Sequence, residues 1–108
     1  MTGGCAISKR ITSSAVITPG GVTGAYGQAT KTKLIAVYAT KEDDNATNTV
    51  KIWDSHDNNT TASDEVIRIE LPATGANLEF DMHGALLSDG IYVEISGSGS
   101  CGITVCWA

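Results

Sequence analysis

Residues 90–107 read GIYVEISGSGSCGITVCW. Two alternating runs flank a short Gly/Ser segment. Ile91, Val93 and Ile95 share one side of the first run, and Tyr92, Glu94 and Ser96 share the other. In the second run Ile103, Val105 and Trp107 oppose Thr104 and Cys106. A period of two places alternate side chains on opposite faces of a strand, so each run buries one face. Gly97, Gly99 and Gly102 reach positive φ without a Cβ penalty, which suits a tight loop. The reading is a β-hairpin that closes a small all-β domain. The residues carry no evident chemistry.

Outward from this stretch the same alternation recurs. Residues 66–71 (VIRIEL) turn Ile67, Ile69 and Leu71 inward and Arg68 and Glu70 outward. Residues 78–82 (LEFDM) turn Leu78, Phe80 and Met82 inward. Residues 49–54 (TVKIWD) set Val50 and Ile52 against Lys51 and Trp53. Residues 33–39 (KLIAVYA) are apolar on both sides, which places that strand centrally or at a subunit contact. Residues 14–18 form a short first strand ended by Pro19-Gly20-Gly21, and residues 22–28 read as an irregular edge strand. Residues 83–89 read as a bend, with 85–87 extended. No segment carries a 3.6-residue apolar stripe. Seven to eight short antiparallel strands separated by polar turns predict a single-domain β-sandwich, jelly-roll-like, over residues 11–108. Residues 1–10 are expected to be a flexible N-terminal arm, or one ordered by a neighbouring subunit.

The net charge of −5 and the scattered Lys and Arg give no basic stripe, so no direct nucleic-acid partner is expected. No run approaches the ~20 apolar residues of a membrane span, and no signal peptide is read at the N-terminus. An odd count of three cysteines, Cys5, Cys101 and Cys106, fits a disulfide framework poorly. A Cys101–Cys106 bridge would distort the last strand, so free thiols in a reducing compartment are expected. Asn45, Asn58 and Asn59 head formal glycosylation sequons and read as polar loop residues.

Three clusters and two single residues could carry chemistry. Asp54-Ser55-His56-Asp57 could bind a divalent cation or relay protons, but it reads better as an Asx-rich turn whose side chains cap backbone amides. Glu42-Asp43-Asp44 with Asn45 could ligate Ca²⁺ and reads better as a solvated loop. His83 reads as a turn residue. The run from Ser96 to Ser100 opens no helix, so it is no phosphate cradle. Trp53 is expected in the core or at an interface ahead of an exposed sugar platform. No catalytic, cofactor-binding or metal-ligating residue is assigned, no cofactor is expected, and the chain is not expected to be an enzyme.

The segments TVKIWD (49–54), EVIRIEL (65–71), LSDGIYVEISG (87–97) and ITVCW (103–107) together resemble small virion proteins of tailed bacteriophages. Many of those end in a "G-[IL]-Y-V-x-[ILV]-[ST]-G … V-T-V" pattern preceded by a "V-x-[IL]-[WY]-D" strand. The likeness covers roughly residues 33–107; the Cys106-Trp107 ending and the long loop at 55–63 depart from it. The resemblance implies a capsid decoration, or cement, protein of the head. It would be a virion structural component assembled in the host cytoplasm, a homo-oligomer (a homotrimer) partnered by the major capsid protein. The alternative is a carbohydrate- or receptor-binding module of a phage tail or fibre.

Overall fold

The structure, a computed structural model, describes residues 7–18, 32–42, 46–58, 60–73 and 77–108. Among these residues the chain forms eight strands: β1 (Ile7–Ile11), β2 (Ala15–Thr18), β3 (Thr32–Lys41), β4 (Asn48–Trp53), β5 (Glu65–Leu71), β6 (Asn77–Leu87), β7 (Ile91–Ser96) and β8 (Cys101–Trp107). One turn of 3₁₀ helix, Ala62–Asp64, precedes β5. The strands build two four-stranded antiparallel sheets, ordered β1-β8-β3-β6 and β2-β7-β4-β5. The pairs are nested, β1 with β8, β2 with β7, β3 with β6 and β4 with β5. This is the order of a jelly roll, the all-β sandwich expected from the alternation. No α-helix occurs among the described residues, so none there is long and apolar enough to cross a membrane.

The nesting overturns the expected C-terminal hairpin. β7 bonds to β2 and β4, while β8 bonds to β1 and β3, so residues 97–100 arch from one sheet to the other. Both runs keep their predicted inner faces, with Ile91, Val93, Ile103 and Val105 all fully buried. They meet through side chains across the core instead of through backbone hydrogen bonds. Period-two alternation is satisfied equally by either arrangement. Among the described strands, only β4 and β5 form a true hairpin between consecutive strands.

The core gathers Leu34, Val37, Val50, Ile52, Ile69, Leu71 and the four residues just named, none more than 2% exposed. Each contributes about 1.5–3 kcal/mol of burial. β3 is an interior strand, as its two apolar sides require. Its register against β6 shifts between Leu34 and Ala36, where Met82, His83 and Gly84 of β6 stand against the single residue Ile35. His83 (φ 55) and Gly84 (φ 71) are both left-handed there, and the His83 N–H donates to Asp81 Oδ1 at 2.9 Å. Against β8, Ile35 is itself an extra residue, between Leu34 opposite Trp107 and Ala36 opposite Cys106, and this re-phases β3. Thr32 and Leu34 face inward before it, and Val37, Ala39 and Lys41 after it.

Two boundaries differ from the sequence reading. The segment read as an arm contains β1: residues 7–10 pair with β8, Ser8 opposite Cys106 and Arg10 opposite Thr104. Residues 1–6 lie outside the described residues, as does the strand expected at 22–28. Within the bend expected at 83–89, residues 85–87 are extended as read, but His83 and Gly84 form a bulge inside β6, which runs unbroken to Leu87.

Candidate functional site

The polar side chains gather at the two ends of the sandwich. β4 connects them, with Asn48 opening the strand at one end and Asp54 following it at the other. The six-residue strand that begins at Asn48 sets the two roughly 20 Å apart.

At the Asp54 end, the carboxylate accepts four hydrogen bonds from the loop between β6 and β7. Its Oδ1 takes the N–H of Asp89 (2.7 Å) and of Gly90 (3.2 Å). Its Oδ2 takes the N–H (3.1 Å) and hydroxyl (3.3 Å) of Ser88. The Asp54 N–H donates to Asp64 O at 2.8 Å, which ties the loop after β4 back to the 3₁₀ turn. Beside this, His56 Nδ1 lies 2.8 Å from Asp89 Oδ2, and its Nε2 lies 3.4 Å from Asp57 Oδ2. The Asp89 hydrogen bond, then the charges of Asp89 and Asp57, raise the His56 pKa above its ordinary value. Ser55 is buried, and its hydroxyl donates to Asp57 O at 2.8 Å. The expected amide-capping turn is therefore what forms. Sequence reasoning missed Asp89 as the partner of His56; the Ser88-Asp89-Gly90 turn signal just before β7 marked the loop that receives it.

At the opposite end two polar side chains are buried, Lys41 (8% exposed) and Asn48 (1%). Lys41 Nζ donates to Asn48 Oδ1 at 2.8 Å and to Ser100 O at 3.4 Å. Asn48 Nδ2 donates to Ser96 O (3.1 Å) and Gly99 O (2.9 Å). Together they bind carbonyls of the arch that joins the sheets, in place of the backbone pairing a hairpin would give. The arch needs glycine: Gly97 has φ +102, and a Cβ on Gly99 would meet Ala46 O at 2.5 Å, Asn48 Oδ1 at 2.6 Å and Lys41 Nζ. The acidic run Glu42-Asp43-Asp44-Asn45 thus lies between two buried polar residues, Lys41 and Asn48. Asp43, Asp44 and Asn45 lie outside the described residues, and Glu42 pairs with Arg10 across the outer face of β8.

Trp53 is only 7% exposed, so it offers no open sugar platform; it is buried against Glu94 and Lys51 and stands outside the central apolar cluster. Its indole N–H donates to Glu94 Oε1 at 3.3 Å, and Lys51 Nζ stands 5.9 Å from the ring centroid. The cysteines correct the expectation of free thiols. Cys101 is a buried thiol, but Cys106 is disulfide-bonded. The expectation followed from the strain of a bridge within β8 alone. What it lacked is β1, which runs beside β8 and sets Ser8 against Cys106. The remaining cysteine, Cys5, lies outside the described residues.

His83 sits exposed on the β6 bulge, 3.6 Å from Asp81 Oδ1, on the turn-like backbone expected of it. Among the described residues, no group of three or more His, Cys, Asp and Glu is placed to hold a metal ion. The two polar clusters fasten loops, and the partners of Asp54 and Asn48 named above all belong to the chain itself. No protein-family model, curated protein or solved structure matches the chain.

Proposed function

We propose that this chain is a structural protein of a phage virion, a capsid decoration protein that reinforces the head as a homo-oligomer bound to the major capsid protein. The observation that carries this reading is a jelly roll fastened at both ends by its own side chains. Asp54 holds the β6–β7 loop, and Asn48 with Lys41 holds the β7–β8 arch. Side chains fully occupied in fixing loops suit a rigid building block. Jelly rolls of this order recur in viral capsid and lectin domains, a likeness of architecture alone. The motif resemblance over residues 33–107 points the same way. Function in this reading is static: many equivalent weak contacts on a symmetric lattice add up to firm attachment.

Mass spectrometry of purified particles tests it. The protein is expected at a copy number comparable to that of the capsid subunit. Absence from particles, or a copy number typical of a tail fibre, would remove the head assignment.

A further inference from the structure

The first sheet ends in two strands with no further neighbour among the described residues, β1 on one side and β6 on the other. The two edges differ in charge. β1 exposes Lys9 and Arg10, and β6 exposes Glu79 and Asp81. They also differ in direction. Each pairing in the order β1-β8-β3-β6 is antiparallel, so β6 runs opposite to β1. A second copy placed alongside in the same orientation would therefore continue the sheet with antiparallel pairing.

We propose that copies of this chain associate head to tail, the β6 edge of one pairing with the β1 edge of the next. The proposal rests on the fold and on neither the virion nor the capsid reading. A register follows from the lengths. β1 has five residues, Ile7–Ile11. On β6, the regular segment before the His83–Gly84 bulge that faces it is Leu78 to Met82, also five residues (78, 79, 80, 81, 82). Setting Arg10 opposite Glu79 aligns all five. On the outer face, Arg10 meets Glu79 and the Ser8 hydroxyl meets Asp81. On the inner face, Ile7, 51% exposed, meets Met82, the Lys9 stem meets Phe80, and Ile11 meets Leu78. Leu78, Phe80 and Met82 pack against the core yet stay half-exposed at this open edge, so the partner strand would complete their burial.

Charge selects this arrangement over the symmetric ones. Pairing β6 with β6 sets the carboxylates of Glu79 and Asp81 against each other or themselves. Lys9 and Arg10 lie on opposite faces of β1, so pairing β1 with β1 sets Lys9 against Lys9 or Arg10 against Arg10. Like charges directly opposite are destabilising and unlike charges stabilising, so only the mixed edge is favoured. A heterologous contact of this kind closes into a ring or runs on as a filament.

The experiment is sedimentation velocity of the full chain with two single-edge variants. The wild type is expected to self-associate, and Glu79→Arg to raise its dissociation constant by about tenfold, by turning an unlike pair into a like one. Arg10→Glu should do the same from the other edge. An equimolar mixture of the two variants should re-associate, since each then offers the charge that the other lost. Arg10 also pairs with Glu42, so Ile7→Glu serves as a second β1-edge variant, with circular dichroism confirming the fold. A monomeric wild type would overturn the proposal. So would self-association unaffected by Glu79→Arg, or a mixture no more associated than its components. Absence of the protein from virions alongside self-association in solution would remove the capsid reading and leave this one standing.

Discussion

Replacing Asn48 by alanine should be among the most damaging single changes outside the apolar core. Asn48 is 1% exposed and makes three hydrogen bonds, donating to Ser96 O and Gly99 O and accepting from Lys41 Nζ. Truncation leaves those two carbonyls without this donor and takes Asn48 Oδ1 from a lysine that is itself 8% exposed. A buried polar group deprived of its partner costs about 1–3 kcal/mol. Water entering the arch recovers part of the sum, so the expected loss is on the order of 3–4 kcal/mol, against a total stability of about 5–15 kcal/mol for a domain of this kind. Asn48→Asp is the sharper control. It keeps the acceptor for Lys41 but turns an oxygen toward the Ser96 and Gly99 carbonyls, so it too should destabilise. Urea unfolding followed by fluorescence reads the effect. With a slope of about 1.5 kcal/mol/M, the Asn48→Ala midpoint should fall by about 2 M with the slope unchanged. A loss below about 1 kcal/mol in both variants would show that the arch is held by its glycines and by packing, and would refute the role given to buried polar partners.

Other expectations follow from the same geometry. His56 has a raised pKa in the folded state, so its pairing with Asp89 contributes stability that is fully present below about pH 6.5 and lost as pH rises through the folded value. An NMR titration should place His56 above the ordinary histidine value, and Asp89→Asn should bring it back down. Peptide mapping after alkylation in urea should label Cys101 without reductant and Cys106 only after reduction. Reduction should lower stability by about 2–4 kcal/mol. In a Trp107→Phe background the emission of Trp53 should be blue-shifted and poorly quenched by iodide, as its 7% exposure requires; strong quenching would restore the exposed-platform reading.

The sequence was most informative where burial is one-sided. β5, β7 and β8 show their inner residues plainly, because Ile and Val alternate with Arg, Glu, Tyr and Thr. Which strands pair is a different matter. Residues 97–100 look like a hairpin loop and form an arch, and the deciding contacts come from Asn48 and Lys41, 48 to 59 residues away along the chain. β1 escaped notice because four of its five residues are exposed. The β6 bulge escaped because a left-handed conformation is uncommon for any residue but glycine, and the His83-Gly84 pair reads equally well as a simple turn. At the Asp54 end the capping turn was legible from Asx chemistry, while its receiving loop, 34 to 36 residues along the chain, was not.

Because Ile7 stands opposite Trp107, and Ala108 exchanges two 3.0 Å backbone hydrogen bonds with Lys33, the described beginning and end of the chain emerge together beside the Asp54 end. Cargo grafted at Ile7 or at Ala108 would depart from the same pole and leave the arch pole bare. A short linker from Ala108 to Ile7 could splice the two into a continuous ribbon. A permuted chain reopened between Pro72 and Ala73 would then sever neither of the fastened loops, whereas one cut at residues 97–100 would lose the anchorage of the sheet crossing.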